Sequence, residues 1–110
     1  MENFHVPLQK AIEQLKKEPD KKSVLLMSHG TMTVKYFAPK VIDTQTPHSQ
    51  DELYIVSSGS AEYTIEEKRV YCTKGDALFA PAGVPHRFEN FTEDFATWVI
   101  FYGPEGGEAN

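Results

Sequence analysis

The sequence predicts an all-β fold: a small single-domain barrel or sandwich with a short α-helix at its N-terminus. Three observations carry this. Helical spacing of apolar residues occurs near the N-terminus, and strand and turn signals follow it. Short runs of strand formers recur, each closed by glycine, proline or a polar turn. The chain has 110 residues, 40% of them apolar and 25% charged, which suits one soluble globular domain. A domain of this size buries roughly two-thirds of its unfolded surface and needs no disulfide to fold.

The elements follow in order. Leu8, Ala11, Ile12 and Leu15 sit at i, i+3, i+4 and i+7, which predicts a helix from about Pro7 to Glu18, ended by Pro19. Ser23 to Ser28 is a short apolar run that stops at the turn signal His29-Gly30. From Thr31 to Phe37 the chain alternates, with Met32, Val34 and Tyr36 on one side and Thr31, Thr33 and Lys35 on the other, as in a half-buried strand. Pro39 and Pro47 punctuate the next stretch. Glu52 to Ser57 is rich in strand formers and stops at Gly59. Ala61, Tyr63 and Ile65 alternate with Glu62, Thr64 and Glu66; Glu67-Lys68 then predicts a hairpin tip, with Arg69 to Thr73 returning. Gly75-Asp76 is a turn, and Ala77 to Ala80 is short and apolar. Pro81 to Pro85 must be a loop, because two prolines cannot both supply ladder hydrogen bonds. Phe95 to Tyr102 is a nearly continuous apolar strand, as expected where both faces are covered. These signals divide the chain into a helix and lead-in (1–22), a barrel (23–103) and a Gly-rich polar tail (104–110) expected to fray.

Charge narrows the function classes. The net charge is -5, so the chain repels phosphate backbones and nucleic-acid binding is not expected. Lys16, Lys17, Lys21 and Lys22 are mixed with Glu18 and Asp20 and read as a solvated helix end, not a basic arm. No apolar run approaches the ~20 residues that span a bilayer, so no membrane partner is expected. The N-terminus lacks a basic start followed by an apolar stretch. Cys72 is the single cysteine, which excludes an internal disulfide and reads as a small buried hydrophobe. Together these predict a cytoplasmic protein.

The chemistry concentrates in two segments. In a regular strand Thr46, His48, Gln50 and Glu52 point the same way. A third donor must come from elsewhere, and His86, which follows the Pro81–Pro85 loop, is the candidate. Two imidazoles and a carboxylate suit a divalent transition metal and leave coordination positions open, the facial arrangement of non-heme iron oxygenases. His29 and His5 read as ordinary surface residues, and Asp51, of opposite parity, as solvated.

These residues also carry a resemblance. The segment Gly75-x5-Pro81-x-Gly83-x2-His86-x3-Asn90 looks like the second motif of the cupin superfamily, with every motif position filled. The segment His48-x3-Glu52-x6-Gly59 resembles the second half of the first cupin motif. The resemblance implies a double-stranded β-helix, a jelly-roll barrel open at one end. It implies one divalent metal ion (iron, zinc, manganese or nickel) held by His48, Glu52 and His86. The chain departs from the family pattern at Lys40, where a glycine is usual, and at Thr46, where another histidine is usual. One customary ligand is therefore absent; Gln50 could donate its carbonyl oxygen instead, or water could fill the position. Thr46, Tyr54, Phe88, Asn90, Tyr36 and Trp98 are the candidate pocket-lining residues.

Three functions are compatible with these residues. The first is a metal-dependent dioxygenase-like oxidoreductase acting on a small molecule. The second is a metal-dependent isomerase or lyase acting on a sugar or oxo acid. The third is a non-catalytic module that binds a small ligand. Small cupins commonly dimerise, and the apolar run Phe95–Tyr102 predicts a homodimer.

Overall fold

The structure is a computed structural model that describes residues 4–109. Helix α1 spans Leu8–Lys16; its first turn hangs on the Pro7 carbonyl, which accepts from Lys10 N and Ala11 N at 3.0 and 3.2 Å. Eight strands follow: β1 (Ser23–His29), β2 (Met32–Phe37), β3 (Asp51–Ser58), β4 (Ser60–Ile65), β5 (Lys68–Thr73), β6 (Ala77–Ala80), β7 (His86–Glu89) and β8 (Ala96–Tyr102). Each predicted strand is present. The β4–β5 tip sits one residue earlier than expected, at Glu66-Glu67, with Glu66 at φ 55°.

The strands form two antiparallel sheets. One has the order β1-β2-β8-β3-β6 and the other β5-β4-β7. The alternation of side chains along each strand gives the five-stranded sheet an inner face toward its partner and an outer face away from it. The larger core lies between the sheets: Phe37, Tyr54, Val56, Val99 and Ala80 from one meet Ala61, Tyr63, Cys72 and Phe88 from the other, with Phe95 closing the end. This is the double-stranded β-helix that the motifs imply. A second cluster lies on the outer face, where Ala11 of α1 packs with Val24, Tyr36 and Ala96.

Gly59 joins β3 to β4 at φ 71°, and a Cβ there would sit 2.7 Å from the Phe95 Cα. Only a residue without Cβ makes that turn and lets the Phe95 backbone approach.

Three expectations change. Tyr36 and Trp98 do not line the barrel mouth: they pair on the outer face under α1, ring centroids 5.5 Å apart, and the Tyr36 hydroxyl hydrogen-bonds Ser57 Oγ at 2.7 Å. The helix covers what would otherwise be the solvent face of β2, so the face carrying Lys35 and Phe37 turns into the barrel. The tail, expected to fray, is fastened by its backbone, with Gly106 N donating to Ser49 O at 2.7 Å and Glu108 N to Asp51 Oδ2 at 2.9 Å. Asp51, expected to be solvated, is 5% exposed and also accepts from Ala82 N at 2.9 Å. These bonds hold the carboxyl below the ordinary aspartate range; the Glu108 N–H contributes most, then the Ala82 N–H. No helix among the described residues is long and apolar enough to cross a membrane.

Candidate functional site

Glu52 lies on the inner face of β3, in the space between the sheets, 1% exposed. His86, the first residue of β7, reaches it from the opposite sheet, with Nε2 3.0 Å from Glu52 Oε2. His48 approaches from the loop before β3; its Nε2 stands 3.8 Å from Glu52 Oε1 and its side chain is 38% exposed. The three residues singled out in the sequence therefore meet across the two sheets. Among the described residues, however, no three His, Cys, Asp or Glu side chains have closed into metal-ligating geometry. His48 is the one held back: its ring centroid is 6.4 Å from that of His86 and rests edge-on against Phe101 at 4.8 Å.

The loops hold this arrangement through backbone bonds. Gly83, at φ 76°, donates its N–H to the His48 carbonyl at 2.8 Å, which ties the loop before β7 to the loop that carries His48. Asp51 fixes the same two loops from the other side through Ala82 N. The turn chemistry read in Pro81–Pro85 thus serves to bring His48 and His86 together.

The hydrogen bonds of the site define its charge. His86 Nδ1 faces the Val84 carbonyl at 2.8 Å, and a carbonyl oxygen only accepts, so Nδ1 carries a proton. Nε2 then faces the Glu52 carboxylate and the Tyr54 hydroxyl, at 3.0 and 2.9 Å. The Tyr54 hydroxyl has one proton and three polar partners around it: the acceptors Gln45 Oε1 at 2.9 Å and Glu52 Oε1 at 3.0 Å, and His86 Nε2, which donates when it carries a proton of its own. It cannot satisfy them all. The contact between Nε2 and the carboxylate needs a positive charge, either a second proton on His86 or a cation in its place. Burial alone would lower the His86 pKa; the hydrogen bonds to Glu52 and Val84 outweigh it and raise the value. Burial, and then the Glu52 charge, push the Tyr54 phenol far up, so it stays protonated.

The remaining candidates divide. Gln50 is not brought to the site: its amide donates to Thr31 O at 2.9 Å and Gly103 O at 3.0 Å. The segment before β3 is irregular after Pro47, so the assumed alternation from Thr46 to Glu52 does not hold, and Thr46 is exposed. Asn90 lies beyond the end of β7 at φ 50°, exposed, and its amide donates to Glu62 on the outside of the smaller sheet. Phe88 is core: it meets Tyr54 edge-to-face and Phe95 at a tilt, with centroids 5.0 and 4.8 Å apart. Arg87 points outward to Glu89 at 3.3 Å. Cys72 is buried, and that burial, with Asp76 nearby, raises its thiol pKa, which leaves it no nucleophile.

Two groups escaped the sequence reading. Asp43, 8% exposed, accepts from Phe88 N at 2.8 Å and Gln45 N at 3.1 Å, and so fixes Gln45 against Tyr54. No periodic signal marks it, because its segment is neither strand nor helix. Lys35 lines the small cavity of about 120 Å³ shared with His48, Glu52 and Tyr54. Its alternation with Tyr36 was visible, but which face turned inward was not.

Comparison with known proteins agrees with this fold. Residues 34–102 match the Cupin domain family. An uncharacterized protein of Streptomyces coelicolor is 41% identical over 63 residues, covering 57% of this chain and 60% of that protein. An acireductone dioxygenase of Alcanivorax borkumensis is 35% identical over 68 residues, covering 57% of this chain and 38% of that enzyme. The chain thus spans less than two-thirds of either relative. The crystal structure of a Cupin 2 conserved barrel domain protein from Salinispora arenicola superposes with TM-score 0.62 at 23% identity, covering 74% of each chain; this likeness is one of fold.

Proposed function

The chain belongs to the cupin family, and from that premise we propose that it is a metal-dependent enzyme, dioxygenase-like, in which His48, Glu52 and His86 hold one divalent metal ion. The observation that carries the reading is the His86–Glu52 contact, 3.0 Å long and closed to solvent, which calls for a positive charge between lone pairs. Two imidazoles and a carboxylate fit iron, zinc, manganese or nickel. His48, 3.8 Å from Glu52, would supply the third donor by a small inward shift of its ring. The 35% identity to an acireductone dioxygenase supports oxygen chemistry over the alternatives.

When bound, the metal would supply Lewis acidity and open positions that gather a chelating substrate and O2. The chain's own residues would do the rest. Val84 O orients His86 through Nδ1 and leaves Nε2 directed at the metal position. Gln45 and Asp43 hold Tyr54, whose hydroxyl keeps a proton next to Glu52 and can lend it to a developing oxyanion. Phe37, Val99 and Phe101 wall the cavity and limit water. That same buried proton on Tyr54 favours a second reading, a lyase or isomerase acting on a small oxo acid, for which turnover would not consume oxygen.

The test is elemental analysis of protein purified without chelator, beside the His48→Ala/His86→Ala double variant. Near-stoichiometric metal in the parent that is lost in the double variant is expected. Protein that holds none, and takes up no added iron, zinc, manganese or nickel, sinks the proposal and leaves a ligand-binding module.

We also propose a homodimer in the cytoplasm. The outer-face row Val34–Ile100–Leu53–Phe79 crosses four strands, beyond the part of the sheet that α1 covers, and Phe79 is 46% exposed. An apolar row of this length suits burial against a second copy. A monomeric mass by light scattering at micromolar concentration would refute it.

A further inference from the structure

We propose that Lys35 sets the substrate class of this site: its ammonium receives the carboxylate of a small organic acid bound in the barrel cavity. The inference rests on the reading of that cavity as the active site, but not on the metal itself.

Four observations carry it. Lys35 pairs with Val99 across the β2–β8 ladder, so it stands on the inner face, where alternation would allow any apolar residue. It lines one cavity with His48, Glu52, Tyr54, Phe37 and Phe101. Its Nζ lies 5.9 Å from the centre of the Phe101 ring, the ring on which His48 also rests. Among the described residues no carboxylate forms an ion pair with it. An ammonium beside an aromatic-walled cavity, with no carboxylate within ion-pair distance, can take up an anion.

Glu52 repels an anion from the inner end of the cavity, while Lys35 attracts it near Phe101. A bound acid is therefore oriented: its carboxylate lies at Lys35 and its remaining atoms extend toward Tyr54 and the His48–Glu52–His86 cluster. The cavity holds about 120 Å³, room for roughly four waters at ~30 Å³ each. That admits an acid of a few carbons. A carboxylate is favoured over phosphate because the Glu52 charge in the same cavity opposes a phosphate dianion more than a monoanion.

The experiment measures binding of pyruvate, of hydroxyacetone (its uncharged counterpart of similar size) and of inorganic phosphate by calorimetry. It uses protein as purified and after chelator treatment, with metal content recorded for each. The wild type is expected to bind pyruvate about tenfold or more tighter than hydroxyacetone in both preparations. Lys35→Met should lose that preference with metal content unchanged, and Lys35→Arg should restore it. Wild-type protein that holds no metal yet binds pyruvate through Lys35 supports this proposal and removes only the metal centre. Equal pyruvate binding by wild type and Lys35→Met overturns it, as does phosphate binding as tight as pyruvate, or no pyruvate binding at millimolar concentration.

Discussion

Glu52 and His86 come from opposite sheets and meet at 3.0 Å, with side chains 2% and 1% exposed. The pair bridges the two layers of the barrel, and no other ion pair among the described residues is closed to solvent. Its consequences reach both stability and chemistry.

Removing the carboxylate leaves His86 and Tyr54 facing an empty, buried space. Glu52→Ala should cost about 3–5 kcal/mol of unfolding free energy, the usual penalty for breaking a buried pair from one side. Urea denaturation measures it. Glu52→Gln keeps the shape, should cost less, and should still abolish metal uptake, since an amide is a far weaker ligand. A Glu52→Ala protein as stable as its parent would mean that water replaces the carboxylate without loss.

Tyr54→Phe removes the one proton offered to Gln45 Oε1 and Glu52 Oε1. Burial makes each unpaired acceptor costly, so the loss should be about 1–3 kcal/mol, read as a fall of several degrees in Tm. The ring itself remains packed on Phe88 at 5.0 Å, so the fold should persist. Turnover should fall with metal content unchanged, which separates the role of the hydroxyl from that of the ligands.

Gly59→Ala forces a Cβ to within 2.7 Å of the Phe95 backbone at φ 71°. The conformation alone costs about 1–2 kcal/mol, and the clash adds to it. Thermal unfolding should show a clear fall in Tm; an unchanged value would mean that the β3–β4 turn yields freely.

Asp51 anchors the tail and the loop before β7 through Glu108 N and Ala82 N. Its folded pKa lies below the ordinary aspartate value, so it stabilises the fold fully above that value, near pH 4. The contribution disappears as pH falls through the depressed folded value. Amide exchange at Ala82 and Glu108 should therefore accelerate, relative to the barrel core, in the acid range, and Asp51→Ala should show the fast exchange already at neutral pH.

Much of this was legible in the residues. The Gly and Pro punctuation placed seven of the eight strands to within a residue or two, β7 being the one not bounded, because turns impose local φ and hydrogen-bond requirements that few residues meet. His48, Glu52 and His86 were recognisable as a set because two motifs at their spacing place donors near one point of one barrel. Gln50 was misread because its parity assumed a regular strand, whereas the chain before Asp51 is irregular and the Gln50 amide is taken by the carbonyls of Thr31 and Gly103.

By itself the sequence determined the strand pattern, the all-β class and the identity of the candidate ligands, since each rests on local spacing. The tertiary structure alone decided which face of β2 turns inward, because α1 packs on Tyr36 and Trp98 and so commits Lys35 to the cavity. It also decided that Asp51 is a buried anchor and that the Tyr54 hydroxyl lies between Glu52 and His86. Those relations depend on side chains from distant elements arriving at one place, which no local pattern encodes.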